Sequence, residues 1–403
     1  MNPGLSASLI LFAGTAALSA AITGLAVFVA RRLQLLAHPV ERSSHSVPTP
    51  QVGGVGICLA LVAGLLVVPA LARGMGDAST PTPFALDYYD SRWAVIAVLA
   101  LGLALGLLDD ILRMAAVPKL MGQIVLAAAP MLLGISFAYM AFPGTEPYRT
   151  TGLAPSVRLG IWIGGVLAFL WILFFINAFN FMDGVNGQSG FFALNALFWW
   201  AVIWVMRAPE SGIRQELVLR QAFLPLAAAA GAVLGFLFWN FPRARTFMGD
   251  SGSLPLGAAL ATMAVAASIF HLDVFVAFSF PLALFIYDVL YTMAWRVSRG
   301  ENLLTAHRSH LYQRLLIATG WSHARLLAFH LPFYLFSGLA GAVYFSSLAG
   351  YQWAYHNPRA GLRHWFPAEG IRIACLVFLA LLLLAYTLLV WRFEKRRKEA
   401  HAS

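Results

Sequence analysis

The chain has 403 residues, of which 60% are hydrophobic and only 11% charged, with a mean hydropathy of +0.75. A soluble protein carries about 25% charged residues, so this composition excludes a set of soluble domains and points to a membrane protein. The formal charge of +10 does not call for nucleic acid. In a chain this apolar it fits basic loops facing anionic lipid and anionic substrates.

Apolar runs long enough to be helical spans recur at 6–30, 53–72, 93–108, 119–141, 159–176, 191–206, 221–239, 254–270, 273–294, 326–349 and 371–391. Short loops join them. The expected fold is an all-α, polytopic helical bundle of about eleven transmembrane helices, forming a single domain over 1–403 with a basic tail at 392–403. The first run lacks a basic leader and is long enough to span, so it is read as a retained helix. Cys58 and Cys375 both fall inside apolar runs, which argues against a disulfide framework or a thiolate metal site.

Eleven spans put the termini on opposite sides. The loops after the odd-numbered spans share a side with the tail Arg392-Phe-Glu-Lys-Arg-Arg-Lys398, and this side holds the larger share of the 27 Lys and Arg residues. The positive-inside rule therefore predicts a cytoplasmic C-terminus and an external, periplasmic N-terminus.

The same loops hold the chemistry. After the first span come Arg42, His45, Pro48-Thr-Pro50 and Gly53-Gly54. Asp109-Asp110 closes the third run, with Lys119 downstream. Two carboxylates at a helix C-terminus repel each other and oppose the helix dipole. They suit a hard cation, which takes carboxylate and phosphate oxygens, or one of them suits a general base.

After the fifth run the chain reads Asn177-Ala-Phe-Asn180-Phe-Met-Asp183-Gly184-Val-Asn186-Gly187-Gln-Ser-Gly190. A carboxylate kept beside lipid is a functional candidate, and the glycines let a ligand approach the backbone. Phe247-Met-Gly249-Asp250-Ser-Gly252-Ser253 precedes the eighth run, where exposed backbone N–H groups at a helix start suit an anion. Asp288 lies inside the ninth run, where it could serve function or simply pair with Arg296. The loop His307-Arg308-Ser-His310-Leu-Tyr312-Gln313-Arg314 has too few ligands for zinc and better suits diphosphate contacts.

These five elements, in this order over about 38–315, resemble the polyprenyl-phosphate N-acetylhexosamine-1-phosphate transferases, glycosyl transferase family 4, which include the phospho-MurNAc-pentapeptide translocase. The resemblance implies transfer of a sugar-1-phosphate from a UDP-N-acetylhexosamine to undecaprenyl phosphate with release of UMP. It also implies a need for Mg²⁺ or Mn²⁺ and a site on the cytoplasmic face of a bacterial inner membrane, and it is compatible with a homodimer while leaving the oligomeric state open. It places Asp250 with Asp109 or Asp110 on the metal. The other member of the pair, or Asp183, would handle the acceptor's proton. Asn180 and Phe247 would contact the nucleotide, with Lys119, His307, Arg308, His310 and Arg314 on the donor phosphates and Arg42 and His45 as further basic contacts.

The last loop departs from the pattern of N-acetylglucosamine-using members, with Tyr312 and Gln313 where two histidines are expected. That variant resembles the branch that starts O-antigen synthesis in lipopolysaccharide, and it argues against MurNAc-pentapeptide as the sugar substrate. A secondary transporter is the competing reading. It predicts polar residues at mid-membrane and an internal two-fold repeat.

Overall fold

The computed structural model describes residues 3–37, 47–73, 83–137, 139–140, 157–158, 160–207, 222–268, 272–303, 305, 307–356 and 368–402. The helices are α1 (Pro3–Arg32), α2 (Gly53–Arg73), α3 (Pro83–Leu112), α4 (Ala116–Leu132), α5 (Gly160–Met182), α6 (Gln188–Arg207) and α7 (Leu224–Asn240). They continue with α8 (Asp250–Ala267), α9 (Leu272–Ser279), α10 (Ala283–Ser298), α11 (Leu311–Thr319), α12 (His323–His356) and α13 (Ala368–Ala402). Each expected apolar run is helical over most of its length, the ninth across two helices. Eight helical stretches among the described residues are long and apolar enough to cross a membrane. The protein is a polytopic membrane bundle.

Two expected spans are short, and a third, which still counts among the eight at Val274–Ser298, is interrupted. The run 119–141 stops as helix at Leu132, because Gly134 turns the chain at φ 83°. α4 and α7 are 17 residues each, about 25 Å at 1.5 Å per residue. The ninth run is broken between α9 and α10 by a 3₁₀ turn, Phe280–Leu282, that contains Pro281. Proline lacks the N–H that would continue the α-helical ladder.

Two short antiparallel bridges interrupt the all-helical plan. β1 (Leu36–Ala37) pairs with β2 (Thr49–Pro50), and β3 (Tyr139–Met140) pairs with β4 (Val157–Arg158). The first closes the segment that carries Arg42 and His45, both of which lie outside the described residues.

α8 is the hub. All its residues from Ser251 to Ala267 are buried, and it packs against α3, α5 and α2. Its sequence is mostly Ala, Gly and Ser, which lets neighbouring backbones approach. That is how membrane helices associate where lipid is as apolar as their own side chains. α1 and α7 cross in the same way. A Cβ on Gly235 would lie 2.2 Å from the Ala16 carbonyl, and the Ser19 hydroxyl donates to the Ala232 carbonyl at 2.6 Å. The hub fixes where its own first residue, Asp250, must lie: at one end of the bundle, beside the ends of α3 and α5.

Candidate active site

The site grows from the start of α8. Gly249 precedes it at φ 70°, a conformation L-residues rarely adopt, and a Cβ there would press on the Gln51 carbonyl and the Asp110 carboxylate. From α3, Asp110 accepts the backbone N–H of Asp250 on Oδ1 (3.0 Å) and that of Ser251 on Oδ2 (2.9 Å). The first N–H groups of a helix have no partner inside it, so this carboxylate acts as a cap supplied by another helix. Gly106 and Gly54 make the approach possible, because a Cβ at either would lie within 2.2 Å of α8 backbone.

The Pro-Thr-Pro-Gly-Gly element holds the same loop from its other side. Phe247 N–H donates to the Pro50 carbonyl (2.8 Å), while Gly53 and Gly54 donate to the carbonyls of Phe247 and Met248 (3.0 Å each). These bonds fix the backbone that carries the half-buried Phe247 and leads into Asp250.

The other aspartate of the pair has different neighbours. Asp109 Oδ1 accepts from the Met114 N–H (2.9 Å) across a turn in which Arg113 is left-handed at φ 51°. Its Oδ2 accepts from Lys119 Nζ at 3.0 Å, and the same ammonium donates to Asp250 Oδ2. Asn180, on α5, donates to Asp250 Oδ1 and to Ser253 Oγ, both at 2.8 Å. Thus α3, α4, α5 and α8 each contribute one end to a cluster of Asp109, Asp110, Lys119, Asn180 and Asp250.

Among the described residues, no group of three or more His, Cys, Asp or Glu is arranged to hold a metal alone. The cluster nevertheless fits a hard divalent cation. Two carboxylate oxygens, from Asp109 and Asp250, converge on one positively charged atom, Lys119 Nζ. Mg²⁺ is commonly bound by one or two carboxylates, with substrate phosphates completing its shell. Asp110 is committed to the α8 amides.

Asp183 follows α5 in the turn to α6. Burial pushes its carboxyl up to about 7, and the negative charge of Asp110 adds to the effect. The turn is held by Asn240, whose side chain accepts from Gly187 N–H (2.6 Å) and donates to the Thr246 carbonyl (2.9 Å). Asn177 bonds the Leu173 carbonyl inside α5, and Asn186 meets His323 and the Pro242 carbonyl.

The His/Arg loop hangs on Asp288. This fully buried carboxylate does not pair with Arg296. It accepts from Leu311 N–H (2.9 Å), Tyr312 N–H (3.0 Å) and Thr292 Oγ1 (3.2 Å), and lies 3.0 Å from His310 Nδ1. Arg296 instead gathers the preceding loop, bonding Glu301 and the carbonyls of Asn302 and Thr305. Gln313 closes a capping box on His310 at the start of α11. The Tyr312 hydroxyl donates to the Phe181 carbonyl (3.2 Å) and covers Gly184, so the loop joins the segment that carries Asn180 and Asp183.

His307 is held neutral, its pKa lowered to about 4 by burial and by neighbouring His310 and Arg296. It can therefore offer a phosphate a hydrogen bond but no charge. Arg314 is engaged elsewhere, in a two-point pair with Glu394 of α13 at 2.8 and 2.6 Å.

The structure thus brings Asp109, Asp110, Lys119, Asn180 and Asp250 together. It sets Asp183, Phe247, His307, Arg308 and His310 on segments bonded to them, and turns Arg314 toward the C-terminal helix. Asn240 and the capping role of Asp110 had no signal in the sequence beyond a polar residue at a helix end.

A bundle of this kind, with carboxylates and a lysine converging at the ends of four helices, defines a polytopic membrane enzyme. Glycosyl transferase family 4 matches residues 92–268, which span Asp109 to Asp250. The chain is 30% identical to the decaprenyl-phosphate N-acetylglucosaminephosphotransferase of Mycolicibacterium smegmatis, over 79% of this chain and 76% of that protein. It is 29% identical to the protein of the same name from Mycobacterium leprae, over 79% and 78%. It is 27% identical to the "Probable undecaprenyl-phosphate N-acetylglucosaminyl 1-phosphate transferase" of Bacillus subtilis, over 78% and 79%. The chain belongs to glycosyl transferase family 4, and is a membrane transferase.

Proposed function

We propose that this protein transfers an N-acetylhexosamine-1-phosphate from a UDP-sugar to undecaprenyl phosphate, releasing UMP, at the cytoplasmic face of a bacterial inner membrane. The observation that carries the reading is the convergence of Asp109 and Asp250 on Lys119 Nζ at the start of α8. Phosphoryl transfer asks a protein for positioning and charge neutralisation more than for covalent chemistry. This cluster supplies both.

An oxygen of the acceptor phosphate forms a bond to the sugar-linked phosphorus of the donor. The bond from that phosphorus to the bridging oxygen breaks, and the electron pair leaves with UMP. Asp109 and Asp250 would hold Mg²⁺ or Mn²⁺, which when bound neutralises charge on the donor diphosphate. Lys119 is placed to move from the carboxylates onto a phosphate oxygen as the donor enters. Asp110 fixes the α8 terminus, whose dipole favours a nearby anion. Asp183 accepts the proton of the acceptor phosphate, and Phe247 offers a flat face to the uracil.

Tyr312 and Gln313 support a donor sugar of the O-antigen-initiating branch. Both are used up in building the loop, one against Gly184 and one in the α11 cap, so neither adds the imidazoles expected for N-acetylglucosamine. The test is a panel of UDP-N-acetylhexosamines, each offered with undecaprenyl or decaprenyl phosphate and Mg²⁺, read by UMP release. Release with none of them would overturn the proposal.

A further inference from the structure

A cavity lies apart from the carboxylates. It has a volume of 670 Å³ and sits between the His/Arg loop, the end of α10, α11 and the C-terminal part of α13. Its lining is two-sided. Trp295, Ile317 and Ala318 form an apolar wall, and Arg308, Arg397 and Lys398 bring positive charge.

Among the described residues, Glu394 is the one acid of the lining, and it is paired with Arg314. The described lining thus counts four basic side chains against one acid. The Arg397 guanidinium also donates to the Ile317 carbonyl, which ties α13 to the last turn of α11. Trp295 is flanked by the guanidiniums of Arg314 (5.1 Å) and Arg299 (4.7 Å), which stiffens the apolar wall. None of Asp109, Asp110, Asp183 or Asp250 lines this cavity.

We propose that this cavity binds the phosphate headgroup of an anionic phospholipid. A basic rim beside an aromatic and aliphatic wall suits a ligand whose charged head continues into hydrocarbon. The position suits it too, because the cavity lies where the apolar sequence of α13 gives way, after Trp391, to Arg392, Lys395, Arg396, Arg397 and Lys398. Juxtamembrane basic residues attract anionic headgroups in this way. Because Arg308 lies between His307 and Ser309, a bound headgroup would also hold one end of the loop that Asp288 anchors. The proposal concerns binding and stands whether or not the transferase reading holds.

The test is native mass spectrometry of the full-length protein from detergent, titrated with phosphatidylglycerol, with phosphatidylcholine, or with phosphatidylglycerol in the presence of millimolar inorganic phosphate. The expected result is one tight phosphatidylglycerol adduct that phosphatidylcholine does not reproduce and inorganic phosphate does not displace. Arg397→Ala with Lys398→Ala should weaken it by roughly 25-fold, about fivefold per basic residue. Lys398→Arg, which keeps the charge, should bind like the parent and shows that loss is not misfolding. Equal binding of phosphatidylglycerol by the parent and the double variant would overturn the proposal. So would equal binding of the two lipids. Displacement by inorganic phosphate would assign the cavity to free phosphate and overturn the lipid assignment.

Discussion

Asp110 caps the helix that begins at Asp250, one carboxylate oxygen on each of the first two amides, at 3.0 and 2.9 Å. Its neighbour Asp109 faces Lys119 instead. Two adjacent aspartates thus divide the work: one builds the site and the other presents charge within it.

This division predicts unequal mutants. Asp110→Ala should lower stability by about 0.5–2 kcal/mol, the range for loss of a helix cap. It should lower turnover as well, because Asp250 is displaced. Asp109→Asn should leave thermal stability close to the parent and abolish turnover. Melting temperature and UMP release, measured on both variants, separate the two roles.

Lys119 holds two carboxylates that would otherwise repel each other. Lys119→Met should tighten Mn²⁺ binding, read by electron paramagnetic resonance, because the ammonium no longer competes with the cation. It should also lower kcat by about 100-fold, the scale seen when one donor to a developing charge is removed. Weaker Mn²⁺ binding would place the cation away from these carboxylates.

The carboxyl of Asp183 is raised to about 7, against an ordinary value of about 3.9. If its carboxylate accepts the acceptor's proton, kcat/KM should rise with pH to a plateau above about 7, and Asp183→Asn should lose that limb. The folded protein holds this proton more tightly than the unfolded chain. The Asp183 contribution to stability is therefore full below about pH 4 and lost as pH rises through about 7.

The bonds from Asp288 to the His/Arg loop predict that it acts through that loop. Asp288→Ala leaves buried donors on Leu311, Tyr312 and Thr292 without their acceptor, a cost of about 1–3 kcal/mol for each donor left unsatisfied. In the milder Asp288→Asn, KM for the UDP-sugar should rise more than kcat falls, because the loop is loosened while the carboxylate cluster is intact. An equal fall in kcat with unchanged KM would place Asp288 in the chemistry.

Much of this was legible in the sequence, and the reasons for the remainder are physical. Apolar runs gave the helices because a membrane span needs length and hydrocarbon, and Asp109, Asp250 and Asn180 stood out because polar groups at span ends are costly. The two-residue β-bridges and the shortness of α4 left little pattern, since one pair of residues or one left-handed glycine decides each. Asn240 escaped notice because its role is to link a turn at Gly187 to a loop at Thr246, a relationship visible only once α7 is in place. The Arg314–Glu394 pair escaped for the same reason. Eighty residues separate its partners, and the motif around Arg314 suggested a phosphate where the fold supplies a carboxylate.

The most direct measurement is UMP release from a UDP-N-acetylhexosamine by the purified parent protein and by Asp250→Asn, each with and without polyprenyl phosphate and Mg²⁺. The parent should release UMP only when both are present, and Asp250→Asn should release it at least about 100-fold more slowly. Release by Asp250→Asn at the parent rate, or no release by the parent with any donor, would contradict a transfer centre at the start of α8.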